Sequence, residues 1–340
     1  MSTIQHLHRF FSSHSSRTSL RPGALLCALL CALVLSLNVS ASAHAKKTLR
    51  VAHDLWIGYA GFFVAQAKGF FAEEGIDLQT TQFSGPADTM PPLLAGHVDI
   101  ALTTLYNLTL LAGKDQAAVK AIYLLDTSKG ADAIVAAPGI DSPAQLKGKK
   151  VAVTTGEVNH MLLIAALKSA GLKESDITLV NMNADDAGAA FLAGRVDAAV
   201  TWEPWVSRAT SANGKVIFSS ADTPDLILDS VTVTQSTLAE RKAALIAFLR
   251  AIDKGTAYLN AHPEESMALI GKALDASPED VAGMLAGDKI YGVADNRKLL
   301  ARNGPGFDSL ANVAAFLQSQ SLLDKPINPN ELMTADLLPE

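Results

Sequence analysis

From residue 48 onward, short apolar or alternating runs take turns with longer stretches in which apolar positions recur every three to four residues, the periods of strand and helix. Residues 48–53, 76–83, 119–125, 133–137, 149–153, 177–182, 196–201 and 229–235 read as strands. Between them, residues 61–68, 70–74 and 185–193 and a segment carrying Met161, Leu162, Ala165 and Leu167 read as helices, most of them closed by a glycine suited to a left-handed C-terminal position. Beyond residue 235 the pattern is helical only. It starts with a long helix over 238–260, whose Leu238, Leu245, Phe248, Leu249, Ile252 and Leu259 form one apolar stripe, and continues near 263–274, 278–286 and 310–320.

One pattern occurs twice. Leu94-Ala-Gly-His-Val-Asp-Ile-Ala-Leu-Thr103 and Leu192-Ala-Gly-Arg-Val-Asp-Ala-Ala-Val-Thr201 share Leu-Ala-Gly-x-Val-Asp-x-Ala-x-Thr. Each copy is the end of a helix, a glycine turn and a short strand, the second half of a βαβ unit. Two copies imply two α/β lobes, because parallel strands need crossover helices and each lobe closes its own sheet. Ligands of such sheets sit beyond the carboxyl ends of the strands. That rule places Thr103, Thr104 and Tyr106 on one side of a cleft and Thr201, Trp202 and Glu203 on the other.

The first 45 residues have a different character. Arg9, Arg17 and Arg21 precede a 14-residue apolar run over 24–37, which ends in small residues up to Ala43-His44-Ala45. This is the layout of a secretory signal peptide with cleavage expected after Ala45, and the run is shorter than the roughly 20 residues a membrane span needs. Both cysteines, Cys27 and Cys31, lie inside it, so the mature chain is expected to have neither disulfides nor cysteine chemistry. Removing three basic residues and no acidic ones takes the formal balance from 28 − 34 = −6 to 25 − 34 = −9. An acidic exported chain argues against nucleic acid and anionic membranes as partners, and against insertion of the mature chain in a membrane.

The stretch Trp56-x-Gly-Tyr-x-Gly-Phe-Phe-x-Ala-x-x-Lys-Gly-Phe-Phe-x-x-Glu-Gly-Ile-Asp77 resembles the opening of periplasmic substrate-binding proteins in the nitrate, sulfonate and taurine group of ABC importers. The resemblance continues through the two Ala-Gly-x-Val-Asp repeats, Leu146-Lys-Gly-Lys-Lys-Val-Ala-Val153 and Trp202-Glu-Pro-Trp205, and spans residues 48–260. It implies a two-lobed binding-protein fold of type II: each lobe a mostly parallel sheet with flanking helices, two hinge crossings and extra C-terminal helices. The expected boundaries are 1–45 for the signal peptide, 46–131 with 232–340 for lobe 1, and 132–231 for lobe 2. It further implies a monomeric periplasmic receptor that closes over a small polar solute and presents it to an inner-membrane permease, with no cofactor and no catalysis.

Candidate ligand contacts follow from both lines of reasoning. Trp56 and Tyr59 follow the first strand and offer an aromatic wall, Trp202 offers another, and Ser84 lies in the loop after the second strand. Thr155, Gly156 and the amides up to His160 open a helix, a place that suits an anionic head group; the resemblance puts the anion of sulfonate and nitrate binders there. Glu157 sits in that turn, where the helix dipole favours a carboxylate by about 0.3–1 kcal/mol. Asp126, Asp132, Asp186 and Glu203 occupy neighbouring cleft-directed segments. An unpaired carboxylate enclosed beside an anion costs several kcal/mol, so two ligand classes stand open: a sulfonate, taurine or nitrate, or a hydrogen-bond donor such as urea, guanidinium, an amine or an aminopyrimidine. Lys129 and His160 are the basic residues nearest the cleft. His53, His97 and His160 show no metal-ligand spacing, and P-loop and nucleophile-elbow motifs are absent from the sequence. The enzyme alternative is a pyrimidine-synthase-like protein of the same fold, which would carry a cysteine-rich motif.

Overall fold

The computed structural model describes residues 47–114 and 118–340; the signal-peptide assignment lies outside the described residues. Among the described residues eleven strands form two sheets. They are β1 (Lys47–His53), β2 (Ile76–Gln82), β3 (Ile100–Thr104), β4 (Val119–Ser128), β5 (Asp132–Ala136), β6 (Lys150–Val153), β7 (Thr178–Asn181), β8 (Ala198–Trp202), β9 (Lys215–Ser219), β10 (Leu228–Thr234) and β11 (Asp288–Ile290). The first sheet has the order β11-β4-β10-β3-β1-β2 and the second β7-β6-β8-β5-β9.

In each sheet a central strand pairs in parallel on both sides, β1 with β2 and β3, β6 with β7 and β8. The next strand runs opposite, β10 against β3 and β4, β5 against β8 and β9. Apart from β10, β5 and the short edge strand β11, all strands of a sheet therefore point the same way, and their carboxyl ends gather on one edge.

The duplicated sequence does the same structural work in both sheets. Gly96 and Gly194 adopt φ of 70° and 67°, the left-handed conformation that glycine takes without strain. Two residues on, a valine is buried in each copy. The aspartate that follows accepts a backbone N–H from the adjacent central strand, Arg50 N to Asp99 Oδ2 at 2.9 Å and Lys150 N to Asp197 Oδ2 at 2.7 Å. These aspartates pin the amino-terminal ends of β3 and β8, opposite the cleft. The side chain of Arg50 adds two further bonds to Asp99.

The long C-terminal helix Lys242–Ala261 buries Leu245, Phe248, Leu249, Ile252 and Leu259 against the first sheet's helices. It begins after a break at Arg241, so the expected 238–260 helix is two helices, Gln235–Glu240 and Lys242–Ala261. It crosses the helix Ala60–Lys68 where a Cβ on Gly255 would collide with the Gly61 carbonyl, so glycine sets the close approach. Strands β9 and β11 and the helix Val293–Leu299 lack a pattern strong enough to have been read from sequence.

The chain passes between the sheets twice, after Ser128 and between Ser219 and Leu228, so all of β10 lies in the first sheet. The crossings are tied together. Ser128 Oγ and Ser220 Oγ are 2.7 Å apart, Gly130 N donates to Ser220 Oγ at 2.6 Å, and Ser128 N donates to the Ile227 carbonyl at 3.0 Å.

Candidate functional site

The carboxyl ends of β1, β3, β4 and β8 and the starts of β5 and β10 converge between the sheets. Past β1 the chain makes a fully buried 3-10 turn, Ile57–Tyr59, with Trp56 at its start. A Cβ on Gly58 would overlap the Asp126 carboxyl and the Trp56 indole, which lets these two groups meet: Trp56 Nε1 donates to Asp126 Oδ2 at 2.7 Å. Tyr59 Oη donates to Asp229 Oδ1 at 3.1 Å, and Asp229 N donates to Asp126 Oδ1 at 3.2 Å. From the other lobe, Trp202 Nε1 and Trp205 Nε1 both donate to Asp185 Oδ1, at 3.0 and 2.8 Å. The rings of Trp56 and Trp202 approach across the cleft, their centroids 6.4 Å apart and their planes inclined by 58°.

Every aromatic donor named here is thus committed to a carboxylate, and what remains for a guest is ring surface and free oxygen. Asp54 Oδ1 and Asp132 Oδ2, in residues 3% and 2% exposed, are buried without a hydrogen-bonding partner. Burial pushes the carboxyls of Asp54 and Asp132 up to about 7. Asp126, Asp229 and Asp288 are held well above the ordinary carboxylate range, again chiefly by burial and further by one another's charge. Glu157, at the N-cap of the helix Val158–Ser169, is raised to about 7 by burial and by Asp88.

Two cavities share this chemistry. An enclosed one of about 10 Å³, on the order of one water, is lined by Asp54, Trp56, Tyr59, Pro86, Thr104, Asp132, Val158, Trp202, Ile227 and Asp229. It adjoins, through Asp54 and Trp202, an open vestibule of about 490 Å³ bounded by Leu55, Gln82, Phe83, Ser84, Asp88, Asn183, Asp185 and Asp186. Neither lining contains a lysine, arginine or histidine. His53, whose Nδ1 lies 2.9 Å from the Asp54 carbonyl oxygen, has its pKa lowered by burial. Lys129 lines a different cavity, with Lys289 and Lys298. Among the described residues no group of three or more histidine, cysteine, aspartate or glutamate side chains is arranged to hold a metal ion.

Of the residues singled out from sequence, Trp56, Tyr59, Thr104, Asp132 and Trp202 meet at the enclosed cavity, and Ser84 and Asp186 at the vestibule. Asp126 stands behind Trp56. Tyr106 is buried among Val158, Met161 and Ile227, and its pKa is raised by burial and by nearby Glu157. Neither Asp126 nor Tyr106 is part of either lining, and Glu157, Thr155, His160 and Glu203 are absent from both as well. Thr155 is exposed, with its amide donating to Asn181 Oδ1. The His160 ring lies between Gly156 N and Glu174 Oε1, 2.7 Å from the latter. Glu203 folds onto Ser207, taking its N–H at 3.0 Å and its hydroxyl at 2.8 Å. Sequence reasoning missed Asp54, Asp185, Asp229 and Asp288. The first and third had a usable signal, since each adjoins a predicted strand end at the cleft edge.

A family model described as NMT1/THI5 like matches residues 56–266. The taurine-binding periplasmic protein of Escherichia coli (strain K12) is 28% identical over 272 residues, covering 76% of this chain and 82% of that protein. The solved structure of the periplasmic aliphatic sulphonate binding protein SsuA from Escherichia coli superposes with a TM-score of 0.72 at 22% identity, covering 86% of this chain and 99% of that one. The desulfurization enzyme DszB superposes with a TM-score of 0.66 at 17% identity, covering 86% and 98%. The fold is therefore that of periplasmic binding proteins, and it also carries an enzyme.

Proposed function

The chain belongs to the NMT1/THI5-like family, and from that premise we propose that it is the solute-binding receptor of an ABC importer, taking a ligand whose buried end is a cationic or strongly hydrogen-bond-donating group. One observation carries the ligand class. Asp54 and Asp132 are buried with unpartnered oxygens in a lining that holds no basic side chain. A donor group placed there removes the cost of two desolvated, unpaired carboxylates, whereas a bare anion adds to it.

The relative named for taurine supports a small polar solute exported-side receptor, and taurine carries an ammonium group of the required kind. An alkanesulfonate without an amine does not. Flat donors such as guanidinium or an aminopyrimidine suit the faces of Trp56 and Trp202 as well. The enclosed cavity holds about 10 Å³, so a planar group enters only when the lobes part by about a ring's thickness. The serine-tied crossings are the segments that bend, a few dihedrals taking up the motion. The ligand then shifts the open and closed populations by its difference in affinity for them. We read the receptor as a monomeric, exported, non-catalytic protein with the permease as partner. No helix among the described residues is long and apolar enough to cross a membrane.

The test is a thermal-shift and calorimetric panel on the protein from Lys46 with guanidinium, 4-aminopyrimidine, taurine, methanesulfonate and nitrate. A true ligand at a hundred times its Kd adds about 2.7 kcal/mol of stability. Donor-bearing compounds are expected to bind. Tight binding of methanesulfonate or nitrate, with none by the donors, overturns the ligand class.

A further inference from the structure

The acidic lining does not stop at the enclosed cavity. Beyond Asp54 and Trp202 it continues into the vestibule, whose about 490 Å³ exceeds what a single small head group needs and whose charged lining residues, Asp54, Asp88, Asp185 and Asp186, are all carboxylates. Asp185 is engaged with two indoles and Asp186 Oδ2 takes the Asn183 amide at 2.8 Å. Asp54 belongs to both linings and carries a free oxygen at 3% exposure. A buried, unpartnered acceptor at the junction marks the path between the two spaces as one continuous binding surface rather than a cavity and an unrelated surface dent.

We propose that the ligand is an elongated molecule with two separated cationic or donor groups, one held by Asp54 and Asp132 between the tryptophans and the second lying in the vestibule opposite Asp88 and Asp186. This rests on the donor-ligand reading above and extends it. The two ends are recognised differently. The inner group meets desolvated carboxylates and ring faces, where geometry discriminates strongly. The outer group meets solvated carboxylates, where the attraction is longer in range, weaker and screened by salt.

Agmatine, with a guanidinium and an ammonium on a four-carbon tether, and butylguanidinium, with the guanidinium alone, separate the two claims by calorimetry on the protein from Lys46. Agmatine is expected to bind at least tenfold tighter than butylguanidinium in 20 mM salt, with the ratio shrinking at 300 mM. The exposed-site double variant Asp88→Asn/Asp186→Asn, its folding checked by its melting curve, is expected to lower that ratio severalfold. Equal binding of the two probes overturns the two-group ligand and leaves the donor reading intact. Absence of binding by both, with methanesulfonate binding, overturns both.

Discussion

Replacing Asp132 by asparagine changes a charge while keeping the shape, and the structure assigns that charge a large cost. In an unfolded chain the carboxyl titrates near 3.8; in the folded, ligand-free protein burial moves it to about 7. A shift of about three units at about 1.4 kcal/mol each comes to about 4 kcal/mol. The native state binds this proton more tightly than the unfolded state. Stability contributed by the group is therefore fully present below about pH 4, is lost as pH rises from about 4 to about 7, and stays lost above. Asp132→Asn holds no such charge. The ligand-free variant is expected to exceed the parent by up to about 4 kcal/mol at pH 8, about 8 °C in Tm at about 2 °C per kcal/mol for a chain of this length. At pH 4 the two should melt within about 2 °C of each other.

The assay is a pair of calorimetric melts at pH 4 and pH 8, with ligand titrations alongside. Asp132→Asn should lose affinity for donor ligands by at least tenfold while gaining stability. In the parent, affinity for a permanently cationic ligand should weaken as pH falls from 8 to 5, because protons compete for the same oxygens. A variant less stable than the parent at pH 8, or a Tm difference independent of pH, refutes the reasoning. Either result would mean that Asp132 has a protein partner or is not desolvated.

Gly58→Ala places a methyl group against the Asp126 carboxyl and the Trp56 indole; we expect about 1–3 kcal/mol of destabilisation and loss of ligand binding, read by melting and calorimetry. Ser220→Ala removes the hydroxyl that joins Ser128 and Gly130 across the crossings. It should cost about 1–3 kcal/mol for the polar groups left behind and broaden the small-angle scattering profile of the ligand-free protein. Trp56 and Trp202 line the cleft, and Trp205 shares the Asp185 carboxylate with Trp202, so ligand binding should change intrinsic fluorescence, and Trp202→Phe should remove a large part of the change. Asp197→Ala frees the Lys150 amide and should lower stability with ligand affinity unaltered in the protein that remains folded.

What the residues disclosed and what they withheld follow one physical division. The repeated glycine-valine-aspartate turns, the Lys242–Ala261 stripe and the strand ends at Thr104 and Trp202 were legible because each depends on local period or on a backbone conformation that few residues adopt. Lys215–Ser219 and Asp288–Ile290 were not, since both are short and take their strand character from neighbours far away in sequence, β5 and β4. The same holds for the site. That Trp56 faces the cleft follows from its place after a strand, but that its N–H is already taken depends on Asp126, 70 residues on.

The carboxylates raise the opposite question, why a fold would gather so many where no basic side chain lines the site. Asp126, Asp229 and Asp288 come from three strands of one sheet, β4, β10 and β11, and their cost falls on the same state as that of Asp54 and Asp132. Burial raises all five, and at Asp126, Asp229 and Asp288 the charge of neighbouring carboxylates adds to it. If a member of the Asp126–Asp229–Asp288 group holds a proton, it keeps Trp56 and Tyr59 in place without adding charge, and Asp54 and Asp132 are left as the ionised pair toward a guest. On this division of roles Asp126→Asn should be nearly silent in pH-dependent stability between 5 and 8 yet disturb Trp56 fluorescence, whereas Asp54→Asn should reproduce the pH-dependent gain of Asp132→Asn. If Asp126→Asn instead gave the larger gain at pH 8, the ionised carboxylate would lie behind the tryptophan rather than in front of it, and the ligand-facing roles given to Asp54 and Asp132 would have to be exchanged with it.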